Sequence, residues 1–483
     1  MADFQLVDPR GWECDLQSVY AAYMGHFQLY NIPWHERSWG IFFESFEAFL
    51  TFQWPVITVT DCYTGRAHIV IRKGSIGAFI KMVKTRFGET LPTVDNILYV
   101  SPFETGQRHL RTISDYSGYK KLHATLPAAV LAALKVRVRN GEPRAIQEIW
   151  EARDKTFLAI DFEWSERNNS TCLEWGYAAV RCGHLEALGT WPPDPESHYR
   201  RGHYIVAEYV DRVQNKYCPN FPWAYAYGDS QVVPRAKLSQ VIQATISSML
   251  SPDSETVANS LVLVAHGISG DLKRLEEMKI KIPHNVLTID TALYEKKLFS
   301  IGQRGAMQDP SGRPRDPNTL LSLSNLLKSL GVDIQCALHN SGNDAMMVLL
   351  ALQLLLDPAN TRVPLPKGAN GRMMNRSPSW SPGGVPSIAF MPTPPIGQLG
   401  MMANYSPSMH TRGSPDQSPD QEFGVGSNKG LGFLSLNDNS RRSSSLSSPY
   451  EGRSRSRVNS GGSTHDLVNR MSGLAVKNGP YTP

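Results

Sequence analysis

The run LVLVAHG, residues 261–267, is apolar on both faces of any strand it forms. Such a strand is stable only inside a sheet whose two faces are both covered. The surrounding chain is thereby restricted to a layered α/β architecture. Neighbouring segments agree with that restriction. FLAIDFEW (157–164), LEWGYAAVRC (173–182), HYIVAEYV (203–210) and VLTID (286–290) read as further strands. Pro234 to Leu250 reads as a helix with proline at its start, and another helix runs to Met278. Leu320 to Leu330 reads as a helix closed by Gly331. Gly342 to Leu356 reads as a last amphipathic helix, ended by Pro358. Three early strands followed by strand–helix alternation predict a mixed α/β sheet flanked by helices over residues 151–358.

Residues 1–150 carry both periodicities. Tyr20, Tyr23, Phe27 and Tyr30 recur at helical spacing within Asp15 to Tyr30. Val56 to Thr60 and Ala67 to Arg72 read as strands around the turn formers of Asp61–Gly65, and Leu126 to Val136 as a helix. An α+β accessory region is expected there, and it shows no catalytic constellation. From residue 359 onward Ser, Pro, Gly and Asn dominate and the periodicity ends. That composition predicts a disordered tail over 359–483. The overall charge of +5 conceals an uneven division. The chain from Asn360 has 13 Lys+Arg against 6 Asp+Glu, leaving 36 against 38 in residues 1–359. The basic excess belongs to the tail, so bulk charge says little about nucleic-acid binding by the folded part. Ser-Pro and Thr-Pro steps at Ser377, Ser381, Thr393, Ser406, Ser414, Ser418 and Ser448 fit either a phosphorylated regulatory segment or plain low complexity.

Two function classes are disfavoured. The start, MADFQLVDPRGWECD, has neither a basic nor an apolar segment of a signal peptide. The longest apolar stretch, Met346 to Leu356, is too short to span a bilayer. An intracellular chain with no membrane partner, nuclear or cytoplasmic or both, is expected. Six scattered cysteines without a CxxC pair argue against a zinc site and against a disulfide framework.

The chemistry lies in three short patterns. Asp161 and Glu163 end the first strand as Asp-x-Glu. Residues two apart on a strand share a face, so both carboxylates project together and can hold a hard divalent cation. Asp271 follows the central strand, in AHGISGDLKRL, as a metal ligand or as a helix-start acid favoured by the dipole. His339 and Asp344 form His-x4-Asp in LHNSGNDAMM. The pattern fits a general base beside a ligand, or a capping acid beside a surface histidine.

The order of these patterns within about 200 residues resembles the DEDDh exonucleases of the ribonuclease-H-like superfamily. Asp290-Thr291 at a strand end resembles the Asp-Thr often found there. Over roughly residues 155–356, HYIVAEY (203–209), Asn215, YGDSQ (227–231), AHGISGDL (265–272) and LHNSGNDA (338–345) resemble the fungal Gfd family. That family is named for supporting a DEAD-box helicase of mRNA export. The resemblance implies a 3′→5′ exonuclease that uses two Mg²⁺ (or Mn²⁺) ions and releases nucleoside 5′-monophosphates from a single-stranded nucleic acid, RNA before DNA. It further implies that Asp161, Glu163 and Asp344 hold one ion and that Asp161 and Asp271 serve the second, with His339 as base. A DEAD-box helicase or other mRNA-export factors are the partners it implies. Many members have His-Asn before the second-motif Asp and an aromatic residue directly before it. Here Gly267 follows His266, and Gly270 precedes Asp271. A catalytically weak or inactive binding module on the same fold is the alternative.

Substrate grip is less defined. Lys296 to Pro317 reads as a loop whose Lys296, Lys297, Arg304, Arg313 and Arg315 contact phosphates or merely face solvent. Trp164, Trp175, Trp223 and Tyr227 fit base stacking or the core.

Overall fold

The computed structural model describes residues 5–308 and 312–365, with the backbone alone at 389–390 and at 169–170. The tail and its Ser-Pro sites lie outside the described residues, apart from a few at its start.

In the N-terminal region the expected helix is Leu16–Leu29, started by Asp15, whose carboxylate accepts from the Ser18 N–H at 2.8 Å. Its Val19, Tyr23 and Phe27 face a core shared with Phe43, Phe49, Trp54 and Phe79. Strands Trp54–Thr60 and Ala67–Arg72 pair antiparallel, as their alternation predicts. They are joined by a turn in which Asp61 accepts from the Tyr63 and Thr64 N–H groups. Trp12–Asp15 and Arg111–Ile113 complete a four-stranded sheet. A helix that pattern reading missed, Lys73–Phe87, covers it and ends at Gly88. The helix Leu126–Arg139 extends one turn beyond expectation.

The second sheet comprises β1 (Thr156–Ser165), β2 (Asn168–Arg181), β3 (Arg200–Val206), β4 (Ser230–Val233), β5 (Leu261–Ala265) and β6 (Leu287–Asp290). Its order is β4-β3-β2-β1-β5-β6. The β1–β2 and β2–β3 pairs are antiparallel, and β3–β4, β1–β5 and β5–β6 are parallel. Strand β5 is central and buried at every position, as its unbroken apolar run requires. One face carries Leu158, Ile160 and Leu263 against α1 (Arg235–Ser247) and α2 (Ser269–Glu277). The other carries Phe157, Ala159 and Val264 against α5 (Ser341–Leu356). Smaller helices α3 (Thr291–Ser300) and α4 (Leu323–Ser329) flank α5.

Three expectations are corrected here. The third strand stops at Val206, because its carbonyl accepts from Tyr209 and Val210 N–H groups and turns the chain out of the sheet. Helix α5 is buried on all sides instead of being amphipathic, which accounts for its continuous apolar sequence. Lys296 and Lys297 lie on α3, and the following segment is not a free basic loop. Arg315 makes a bidentate pair with Glu295 at 2.7 and 2.8 Å, and Arg304 joins them, all three buried. Planar guanidinium–carboxylate pairing of this kind holds the fold and leaves neither arginine for phosphates.

Candidate metal centre

Strand β1 places Asp161 and Glu163 on the α5 face, two residues beyond Ala159, at the end of the apolar run. Helix α5 brings Asp344 to them, and it can do so because glycines remove the obstruction. Gly176 pairs with Asp161 across β1–β2. A Cβ at Gly176 would lie 2.1 Å from the Ser341 carbonyl oxygen. A Cβ at Gly342 would lie 2.7 Å from the Tyr225 ring and 2.8 Å from the Cβ of His203. The start of α5 therefore rests directly on the sheet. Asn340 caps it through the Asn343 N–H, while Asn343 clamps Ala224, Ala226 and Ala337.

Asp344 is 8% exposed, and its Oδ2 accepts from the His339 N–H at 3.0 Å. Its Oδ1 and Asp161 Oδ2 are buried oxygens without a hydrogen-bond partner. Glu163, His339 and Asp344 present ligand atoms within 4.8 Å of one another. His339 Nδ1 lies 3.9 Å from Glu163 Oε1, with the imidazole about half exposed (51%). The residue sits at φ 62, held there by its bond to Asp344 and by the Phe221 N–H donating to its carbonyl. A left-handed non-glycine residue costs about 1–3 kcal/mol and persists only where its surroundings fix it. Asp161 and Asp271 lie outside the close trio, yet Asp344, Asp271 and Glu163 all act electrostatically on Asp161. Asp271 lies in the first turn of α2, so both sequence readings of it, dipole acid and site member, are compatible with its position.

Electrostatics at this centre are strained. Burial, then the charges of Asp344, Asp271 and Glu163, hold the Asp161 carboxyl well above its ordinary range. Burial, then Asp344 and Glu174, pushes Glu163 up to about 8. Burial raises Asp271 and Asp344 to about 7 each. Burial lowers the His339 imidazole below its ordinary value.

Sequence reading missed a supporting layer. Glu174 stands opposite Glu163 on β2 and is fully buried. It accepts from Asn220 Nδ2 at 2.9 Å and lies 2.9 Å from His203 Nε2. His203 also meets Ser230 Oγ at 2.9 Å. His203, Ser230 and Asn215 fall within the quoted Gfd-like segments or beside them, which was the available signal. Asn215 fixes the end of β1 by donating to the Trp164 carbonyl and accepting from the Glu166 N–H. Gly267, at φ 85, makes a turn that non-glycine residues avoid. That turn lets the Gly267 and Ile268 N–H groups donate to Asp290, which also caps α3. Trp175 and Tyr227 are core residues, Trp164 lies beneath the Arg274 guanidinium at 4.2 Å, and Trp223 is 61% exposed.

Sheet order and acid placement together define a class. The domain has the ribonuclease-H-like fold of the DEDDh exonuclease superfamily. The family described as DEDDh_C, "DNA polymerase III subunit epsilon-like, C-terminal domain", matches residues 156–355. Two fungal proteins are similar to this chain. "Uncharacterized nucleolar protein C2C4.08" of Schizosaccharomyces pombe is 25% identical over 227 residues, covering 47% of this chain and 79% of the relative. "Good for full DBP5 activity protein 2" of Saccharomyces cerevisiae is 26% identical over 213 residues, covering 40% of this chain and 34% of the relative. Among solved structures, exonuclease I is similar at 13% identity and a TM-score of 0.26, with 42% of each chain covered. E. coli exonuclease I in complex with a dA16 oligonucleotide is similar at 11% identity and a TM-score of 0.25, again with 42% of each chain covered. The chain thus spans under half the length of exonuclease I and about a third of the budding-yeast relative. Among the described residues no helix is long and apolar enough to cross a membrane.

Proposed function

We propose that residues 156–356 form a metal-dependent 3′→5′ exonuclease acting on single-stranded nucleic acid, RNA before DNA, and releasing nucleoside 5′-monophosphates. One observation carries this reading: Asp161 Oδ2 and Asp344 Oδ1 are buried without partners among carboxylates that raise one another's proton affinity. Buried acceptors in such a group are stabilised by a cation. An all-oxygen acid set suits Mg²⁺ or Mn²⁺. Asp161, Glu163 and Asp344 would hold one ion, and Asp161 with Asp271 the second. Bound there, the ions supply charge stabilisation for the attacking and leaving oxygens of an in-line displacement. His339 accepts the proton of the attacking water, and its lowered proton affinity keeps it neutral for that task near pH 7. The exposed Phe221 and Trp223, on the segment bonded to the His339 carbonyl, offer stacking faces for bases at the 3′ end. A nuclear location agrees with the name of the fission-yeast relative, and an RNA helicase or export factor as partner agrees with the name of the budding-yeast one.

A second reading is favoured by a specific observation. Only Glu163, His339 and Asp344 present ligand atoms within 4.8 Å, so the five residues do not form one compact ligand set. A ribonuclease-H-like binding module with weak or no chemistry, supporting mRNA export, fits that geometry. Digestion of single-stranded and duplex RNA and DNA, labelled at either end, with Mg²⁺ or with chelator, separates the two. The nuclease reading expects mononucleotides from the 3′ end of single-stranded RNA, lost in Asp161→Ala. RNA retention without metal-dependent cleavage would sink it and leave the binding module.

A further inference from the structure

The segment 215–218 is fastened to the end of β1 more firmly than a surface loop requires. The Glu166 carboxylate accepts from the N–H groups of Lys216 and Tyr217 and, by a short bond, of Cys218. Asn215 donates to the Trp164 carbonyl at 2.7 Å. This fastening sets Cys218 beside the centre. Its Sγ lies 3.2 Å from His339 Nδ1 and 3.7 Å from Nε2, across 121 residues of chain. Cys218 is exposed and not in a disulfide. The same imidazole belongs to the trio with Glu163 and Asp344, and Asp344 is a buried acid with one oxygen lacking a partner. Thiol, imidazole and two carboxylates around one point form a mixed S/N/O donor set. Such a set selects a borderline-soft, tetrahedral ion and differs from the all-oxygen set of the proposed Mg²⁺ site. Cysteine spacing in the sequence gives no sign of it, because the fold alone brings the two donors together.

We infer that Cys218, His339, Glu163 and Asp344 form an inhibitory site for a thiophilic divalent cation of the Zn²⁺ type, overlapping the hard-metal centre. Its inhibitory sense rests on the nuclease reading above, whereas the site itself does not. Binding exchanges the Cys218 thiol proton, released to solvent, for a sulfur–metal bond. It also ties up the imidazole that would accept the water proton. The full-length, metal-free chain is titrated with Co²⁺, a spectroscopic stand-in for Zn²⁺, and near-ultraviolet sulfur-to-cobalt charge-transfer absorption is recorded. One equivalent is expected to give the band, and Zn²⁺ to abolish it. Cys218→Ser and Cys218→Ala should both lack it, with circular dichroism confirming that they fold. No band, or a band that survives in both folded variants, overturns the inference. In a parallel assay Zn²⁺ is expected to inhibit Mg²⁺-dependent cleavage by the natural chain at a concentration at least about tenfold lower than for Cys218→Ser. Equal sensitivity overturns the inhibitory role. A cobalt band in a chain that cleaves nothing removes the nuclease reading and leaves the site. Active enzyme without the band does the reverse.

Discussion

At the scale of single residues, four acids in one pocket cannot all keep their charge without a cation. In the folded chain Glu163 holds its proton up to about pH 8, and Asp271 and Asp344 up to about pH 7. In the unfolded chain such groups release theirs near pH 4, an order-of-magnitude reference. Between those limits the folded chain binds more protons than the unfolded one, so this group's contribution to stability falls as pH rises. Metal-free protein is therefore expected to melt at progressively lower temperature from about pH 5 to pH 8. Mg²⁺ should recover most at the upper end, where the acids would otherwise be bare. Calorimetry with chelator or Mg²⁺ over a pH series checks this, and Asp161→Ala should flatten the slope. A chelated natural chain no more pH-sensitive than that variant would contradict the assignment. His339 behaves differently. Its imidazole is half exposed, while its backbone is fixed by Asp344 and Phe221. His339→Ala is expected to lower kcat by roughly 10²–10⁴-fold, the range for a lost general base. Mg²⁺ affinity should barely change, as isothermal titration would show. A large loss of Mg²⁺ binding would make His339 a ligand of the hard ion.

At the scale of elements, the decisive feature is the contact between β2 and the first turn of α5. Gly176→Ala would force a Cβ against the Ser341 carbonyl, so α5 must lift away from Asp161. A loss of roughly 1–3 kcal/mol is expected from overpacking, together with weaker Mg²⁺ binding. Gly270→Ala is the contrasting change. A Cβ there meets nothing within 4 Å, and the site is an exposed position in α2, so stability should hold or rise by up to about 1 kcal/mol. Denaturant melts of both variants test the pair. The loop bearing Trp223 gives another expectation: Trp223→Ala should weaken single-strand binding by roughly 1–3 kcal/mol, the worth of one stacked base. An unchanged KM for oligonucleotides would take Trp223 out of the grip. Elements with strong periodicity were legible in the sequence. Strands β1, β2 and β5 and helix α5 lie within a few residues of expectation, because continuous burial imposes an apolar pattern. What local pattern cannot encode was not legible. The Glu174–His203 pair needs the β2–β3 register before it can be seen. Arg304 and Arg315 looked like phosphate contacts because nothing near them in sequence shows that Glu295 is buried with them. Asp161 and Glu163 were legible for the opposite reason, since two charges inside an apolar strand need a purpose.

At the scale of the whole molecule, the accessory region and the nuclease-like sheet share a boundary made of core. Val138, Ile146, Ile149 and Trp150 pack in one cluster with Phe157, Leu287 and α5. The helix Leu126–Arg139 contacts both β6 and the N-terminal strands Trp54–Thr60 and Ala67–Arg72. Lys135 Nζ reaches the His284 carbonyl from the same helix. A division near residue 150 would therefore cut through apolar packing, leaving Trp150 and Ile149 without cover. Burying such a side chain contributes about 1.5–3 kcal/mol, so losing several exceeds what a marginally stable domain tolerates. A chain beginning at Glu151 is expected to aggregate or melt far below the full protein, whereas one ending after Ala359 should keep both its melting temperature and its Mg²⁺-dependent rate. Limited proteolysis adds an independent check, with residues 126–155 expected to resist cleavage in the native protein. If protease separates the two parts quickly and the remaining 151–358 piece keeps its melting temperature and substrate preference, the accessory region is a tethered module. If instead the piece is stable but its preference shifts toward duplex ends, the region guides single strands to the centre without supporting its fold.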